Sequence, residues 1–239
     1  MKRRGLTRET VVARALEIGN AEGLDAVSLR RLASDLQVTP MALYRHVKDK
    51  QDLINAMTEK VLEGLDVTAG MRRTMSWSER LRRAMTNFKE EMDRRPLALQ
   101  LSIAYTGEGP PEFWRMTEDL LAILLDAGFQ RRQAVVFIRV ISNLLTGYLL
   151  LLRQDASVAD QVRPADVELM RKRFELTQLA LPRAEFPNLV EGARDMAEVW
   201  LSDPDRWWRD TVDLLVFGLE ALLATAGRKR QGAGALGEP

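Results

Sequence analysis

Cysteine is absent from the sequence, and histidine occurs once, at His46. Without cysteine there is no disulfide scaffold and no cysteine-rich zinc site. A single imidazole excludes a histidine-rich metal centre and leaves little room for histidine-based acid–base chemistry. Net charge is also scarce, +1 over 239 residues, so the chain is not a uniformly polycationic coat for nucleic acid. No long apolar run is present. The most apolar window, 134–152, is interrupted by Arg139, Ser142, Asn143 and Thr146, whereas a membrane span needs about 20 mostly apolar residues; a buried helix of a soluble protein is expected there. The start, Met1–Gly5, is basic but has no apolar core after it, so no signal peptide is expected. Together these absences predict a cytoplasmic protein that does not enter a membrane. At 46% hydrophobic and 29% charged residues the chain can bury a sizeable core.

The charge that is present is unevenly spread. Residues 1–50 hold ten Lys/Arg and six Asp/Glu, net +4, while residues 51–227 hold 22 basic and 27 acidic side chains. A basic unit at one end of a mildly acidic body points to nucleic acid at that end. Helical periodicity dominates throughout. Val11, Ala15 and Ile18 form one apolar stripe, and Gly23 fits its stop. Ser28 reads as the N-cap of a short helix over 29–36, and Thr39-Pro40 as the cap and first turn of another ending near His46. Asp49 can cap a fourth, with Leu53, Met57, Val61 and Leu65 inward. Further helices are predicted over 77–94, 112–125, 131–153, 165–179, 189–201 and 205–224, separated by proline and glycine. No stretch alternates like a half-buried strand. The predicted fold is all-α: a helix-turn-helix, three-helix N-terminal domain with a linking helix over 1–65, a helical ligand-binding and dimerisation domain over 66–226, and a disordered tail over 227–239.

The informative segment is Ser28–Lys50, SLRRLASDLQVTPMALYRHVKDK. Two short helices joined by a three- or four-residue turn make a helix-turn-helix. Leu32, Leu36, Val38 and Leu43 would face inward, and Ala33 is small where the helices cross. Gln37 stands where the turn backbone tends to be left-handed, at a cost of about 1 kcal/mol relative to glycine. Within this segment and just after it, LYRHVKDKQDL at 43–53 resembles the DNA-binding signature of the tetracycline repressor (TetR) family. Downstream, Ser76-Trp77, Phe88, Pro111-Glu112, Gly128-Phe129, Gly147 and Phe217-Gly218-Leu219-Glu220 resemble the tetracycline repressor subgroup itself. The resemblance implies a homodimeric repressor on a double-stranded, palindromic operator, with a small molecule in the helical body changing the spacing of the two readers. It places Arg30 at a base or phosphate, Thr39, Met41 and Ala42 on the reading face, and Tyr44, His46 and Lys48 at phosphates. Arg45 replaces an aromatic of the subgroup and is a candidate reader of guanine. These residue types suit those roles: Lys, Tyr and His position a protein on phosphates, Arg grips guanine with two hydrogen bonds, and Met or Ala meets a thymine methyl. The same residues also have plainer readings. Tyr44 could pack on the following helix, His46 could be a structural cap, and Lys48 could be a solvated surface charge.

In the body, Asn143 and Thr146 lie among Phe137, Ile141, Leu144, Leu145 and Tyr148. Such polar groups either orient a ligand in an apolar pocket, bond to the preceding turn, or meet a second subunit. In the tetracycline subgroup a His, a Thr and a Glu hold a metal-chelated drug; the resemblance puts Ala104, Gly107 and Leu151 at those places, none able to ligate a metal through its side chain. Neither a metal nor a cofactor is therefore expected. The other pocket places are Ala84, Phe88, Phe113, Met116, Leu120, Val135 and Ile138, with Thr117 and Asn143 as the polar members, which implies a small hydrophobic or aromatic effector. By resemblance, the helices over 131–153 and 205–224 form a four-helix dimer interface. Two rival readings remain at this stage. A helical-bundle carboxylate enzyme wants Glu-x-x-His pairs, and His46 follows Leu43 instead. An architectural, non-specific DNA binder would be more basic.

Overall fold

The computed structural model describes residues 6–95, 97–159, 164–201 and 204–234, with side chains in 6–95, 97–147, 166–201 and 205–225. No strand occurs among them, and the helices are α1 (Arg8–Glu22), α2 (Leu29–Asp35), α3 (Pro40–Leu43), α4 (Lys50–Leu62), α5 (Trp77–Arg94), α6 (Ala98–Ala104), α7 (Pro111–Asp126), α8 (Arg131–Ala159), α9 (Pro164–Leu179), α10 (Pro187–Glu191), α11 (Ala193–Trp200) and α12 (Pro204–Gly234). By compactness the chain divides into Met1–Asn143 and Leu144–Pro239.

The first four helices start and stop where local chemistry dictates. The Thr7 hydroxyl accepts the Thr10 amide and Thr10 reciprocates, a capping box that opens α1; Gly23, at φ 88°, closes it. Ser28 accepts the Arg31 amide at the head of α2, Thr39 accepts the Ala42 amide at the head of α3, and Asp49 accepts the Asp52 amide at the head of α4. Gln37 does take the left-handed conformation, at φ 54°, the only non-glycine residue with positive φ among those described. The Val38 amide then reaches back to Ala33 O at 2.9 Å, which closes the turn between α2 and α3.

The core beneath these helices contains Val11, Ala15, Val27, Leu32, Leu43, Leu53 and Met57, and it also takes in Leu97 and Leu101 from much later in the chain. Those two leucines arrive with α6, Leu97 as its N-cap residue and Leu101 within it, a helix the sequence reading did not anticipate. The approach is close: a Cβ on Gly19 of α1 would lie 2.7 Å from Leu97 Cδ1, so the glycine in mid-helix makes room for that leucine. Thr58 of α4 is fully buried, its Oγ 2.8 Å from Ile54 O and 3.2 Å from Leu101 O. Gln51 Nε2 donates to Ala104 O at 2.9 Å, and the Thr106 amide donates to Asn55 Oδ1 at 3.3 Å. α4 is therefore stitched to α6 along its length and at its C-terminal end.

α5 opens on a Ser76–Glu79 capping box and packs along α7. Asn87, buried in α5, donates to Val67 O and Ala69 O, both at 2.9 Å, and so satisfies the loop that follows α4. In the second unit α9 packs against α11, where Phe174 stacks on Trp200 at 5.8 Å and Arg171 donates to Leu201 O. The segment 189–201, expected as one helix, is broken at Gly192 into α10 and α11. α12 runs on to Gly234, eight residues into the tail expected to be disordered; Arg228-Lys229-Arg230-Gln231 are good helix formers.

Candidate nucleic-acid interface and effector pocket

The described basic residues between positions 6 and 50 fall into two groups. Arg8 forms a two-pronged pair with Asp52, at 3.0 and 2.8 Å. Arg14 reaches Asp35 and Glu17, and Arg31 reaches Glu22 and Asp35. These pairs hold the arginines more firmly protonated than usual, Arg31 chiefly through Glu22 and Arg8 chiefly through Asp52. They also pull Asp35 down, through Arg14 first, and hydrogen bonding to Arg8 brings the Asp52 carboxyl down to about 2. By contrast, among the described residues no carboxylate stands within ion-pairing distance of Arg30, Arg45 or Lys48. The internal charges thus cancel within the fold, and the remaining described cations of this segment, Arg30, Arg45, Lys48 and Lys50, are presented on the first turn of α2, just past α3, in the turn before α4 and at its first residue.

None of the eight candidate DNA-contacting residues is buried. Arg30, Thr39, Met41, Tyr44, Arg45 and Lys48 are exposed, while Ala42 and His46 are half-buried. Met41, an apolar side chain, is 72% exposed on the short reading helix, and Tyr44 is 52% exposed. So large an exposure does not fit Tyr44 as core packing against α4. Between these residues Leu43 and Val47 are fully buried, so α3 and its following turn are anchored from below while their outer side chains stay free. The geometry can lay Met41, Ala42 and Arg45 on base edges while Tyr44, His46 and Lys48 meet the flanking phosphates.

The effector candidates are less gathered. The α5–α7 packing puts Phe88 on one helix and Phe113, Met116, Thr117 and Leu120 on the other; Leu120 is buried, Phe88, Met116 and Thr117 half-buried and Phe113 exposed. Thr117 already donates to Phe113 O at 2.8 Å. On α8, Ile138 is half-buried, but Val135 and Asn143 are exposed. Of the three readings open for Asn143 and Thr146, their exposure does not fit enclosure in an apolar pocket of this chain: both are exposed on α8, whose buried stripe runs through Ala134, Ile141 and Leu145. Ala104 is half-buried with its carbonyl engaged by Gln51, and a Cβ at Gly107 would meet the Tyr105 hydroxyl at 2.4 Å. The Leu151 side chain lies outside the described residues. Two clefts, of about 790 and 740 Å³, lie elsewhere. One runs between α1, α4 and the start of α7; the other, lined by Arg171, Lys172, Glu175 and other charged residues, is in the second unit.

Residues 70–223 match the model of the tetracyclin repressor-like C-terminal domain, and residues 11–57 match that of bacterial regulatory proteins of the tetR family. The chain belongs to the TetR family. A TetR-family member of similar length, the class C tetracycline repressor protein of Escherichia coli, is 29% identical over 231 residues, covering 92% of this chain and 93% of that one. The HTH-type transcriptional repressor DrrR1 of Streptomyces coeruleorubidus is 25% identical over 190 residues, 80% of this chain and 70% of its own. Among solved structures, the TetR family protein ActR of Streptomyces coelicolor in complex with actinorhodin aligns with a TM-score of 0.73 and 25% identity over 92% of this chain and 99% of that one. These relatives are transcriptional regulators, so this TetR-family chain is a helix-turn-helix regulator and not a helical-bundle enzyme. No helix among its described residues is long and apolar enough to cross a membrane.

Sequence reasoning missed the ion pairs that divide the arginines into structural and free. Arg14 and Asp35 are 21 residues apart and Arg8 and Asp52 are 44 apart, separations that no local spacing rule connects.

Proposed function

We propose that this regulator is a sequence-specific repressor that binds a palindromic operator as a homodimer and is released by a small hydrophobic or aromatic effector. The reading head spans 1–65 and the effector and dimerisation body 66–226. What carries the proposal is the separation of charge in the head: three arginines are held by internal carboxylates, while Arg30, Arg45 and Lys48 are left free beside exposed Met41 and Tyr44. Dimerisation has support of its own. α8 exposes Val136, Val140 and Asn143 at helical spacing, and α12 exposes Leu214, Phe217 and Leu222 while burying Trp208, Val212, Val216 and Leu219. The exposed apolar residues among these, Val136 and Val140 on α8 and Leu214, Phe217 and Leu222 on α12, support an interface. Two-fold pairing would set the reading helices about 34–36 Å apart, one turn of DNA.

For the effector, the proposed lining is Phe88, Phe113, Met116, Thr117, Leu120, Val135 and Ile138, with Asn143 at its exposed edge. Ala104 and Gly107 offer no metal-ligating side chain, so a magnesium–tetracycline complex would not be held as in the tetracycline subgroup. Burying a flat apolar molecule contributes about 25 cal/mol per Å² before association costs, and it can act only if it prefers the DNA-free shape. The stitched α4–α6 seam supplies a route by which a change beside Ala104–Thr106 would move α4 and the turn it carries. A gel shift on promoter fragments with excess random competitor tests the proposal. A complex that survives competitor and is released by hydrophobic aromatic compounds, but not by magnesium–tetracycline, is expected. Loss of every complex to competitor would point to non-specific binding, and release by magnesium–tetracycline would overturn the pocket assignment.

A further inference from the structure

The turn between α3 and α4 carries His46 and Lys48, and its backbone is held from outside. Arg8, in the first turn of α1, donates from Nη1 to His46 O at 2.7 Å. The same guanidinium grips both oxygens of Asp52, at 3.0 and 2.8 Å. Asp52 Oδ2 in turn accepts the Lys48 amide at 2.7 Å. One ion pair thus satisfies the outward carbonyl at one end of the turn and the outward amide at the other. Beneath it, the fully buried Val47 fixes the middle. Arg8 lies just before the segment matched by the N-terminal family model, which begins at residue 11.

We infer that Arg8, paired with Asp52, is a positioning residue for DNA binding: it acts on no base or phosphate itself but holds the 46–48 turn so that Lys48 meets its phosphate. The inference rests on the DNA-contact reading of that turn proposed above. A phosphate contact counts toward binding only if its donor is held at the right register on the duplex. The planar fork of an arginine is suited to this hold because it serves a carboxylate with two donors and keeps others for the carbonyl. Asp52, far below the usual carboxylate range, stays charged at every pH at which DNA binding is measured.

The test is a double-mutant cycle read by salt dependence. Binding of the full-length protein to a fluorescein-labelled random-sequence duplex of about 30 base pairs is followed by anisotropy at several salt concentrations, since the phosphate contribution does not depend on sequence. In the wild type, Lys48→Ala should lower the slope of log K against log salt by about 0.9, one phosphate contact. In the Arg8→Met background the same change should lower it little further, because the lysine is no longer held in place. Arg30→Ala, on α2 and outside the clamped turn, should cost the same slope in both backgrounds. Comparing within each background removes the effect of Arg8's own charge. If Arg8→Met fails to fold by circular dichroism, Arg8→Lys takes its place, keeping the charge but not the fork. An equal effect of Lys48→Ala in both backgrounds would overturn the inference. A wild type that shows no salt-dependent binding would instead overturn the DNA-contact reading beneath it.

Discussion

Replacing Leu101 by Ala probes how far the reading head depends on the body. Leu101 lies on α6, 44 residues beyond the end of the matched N-terminal segment at residue 57, yet its side chain is fully buried in the same core as Val11, Leu32, Leu53 and Met57. Truncating a buried leucine removes transfer free energy and leaves a cavity, together about 3 kcal/mol. Against a typical stability of about 5–15 kcal/mol this is a large fraction. For a chain of this size it corresponds to a fall in Tm of about 6–12 °C. The loss should appear in the head itself: hydrogen exchange of amides in α1 and α4 should accelerate along with those of α6, because Leu101 packs among them and its carbonyl faces Thr58. By the same reasoning, residues 1–65 alone, lacking Leu97 and Leu101, should show no cooperative thermal transition. If Leu101→Ala lowers protection in α6 while α1 and α4 keep theirs, the shared core is not what stabilises the head.

Other outcomes follow from particular residues. An added side chain at Gly218 meets nothing within 4 Å in the single chain, so Gly218→Trp should leave helix content intact while shifting sedimentation from dimer to monomer; an unchanged dimer would move the interface off this face of α12. Lys48→Ala should weaken binding to all DNA sequences alike, whereas Arg45→Ala should relax preference at one base pair by about 1–3 kcal/mol in a specificity profile; uniform weakening by Arg45→Ala would make it a phosphate contact. Because Asp52 titrates lower in the folded chain than in the unfolded one, its contribution to stability is present above about pH 4 and is lost as pH falls toward 2. The Tm difference between wild type and Asp52→Asn should therefore shrink on acidification through that window, and a difference that does not change with pH would mean that the Arg8 pair is not what shifts Asp52.

The parts of this fold that could be read from sequence are those fixed by near neighbours. Caps at Ser28, Thr39 and Asp49, the stop at Gly23 and the left-handed turn at Gln37 each depend on residues within about four positions, and the structure places all of them as expected. α6 was not legible because its seven residues give too little periodicity and follow a proline. For α8, spacing showed which residues share a face but not whether this chain covers that face, and so pocket, backbone and second-subunit readings of Asn143 and Thr146 all stayed open until both were found exposed. The effector pocket depends on how several helices meet, and α5 and α7 provide only part of its expected wall.

The central claim, sequence-specific recognition by a symmetric pair of α3 readers, is tested most directly by selecting bound duplexes from a random pool with the purified full-length protein. The account predicts enrichment of an inverted repeat whose half-site centres lie about 10–10.5 base pairs, or a multiple of that, apart, with preference at one position lost in Arg45→Ala. A folded protein that retains DNA yet enriches no sequence, or enriches a single half-site without its inverted partner, would contradict it.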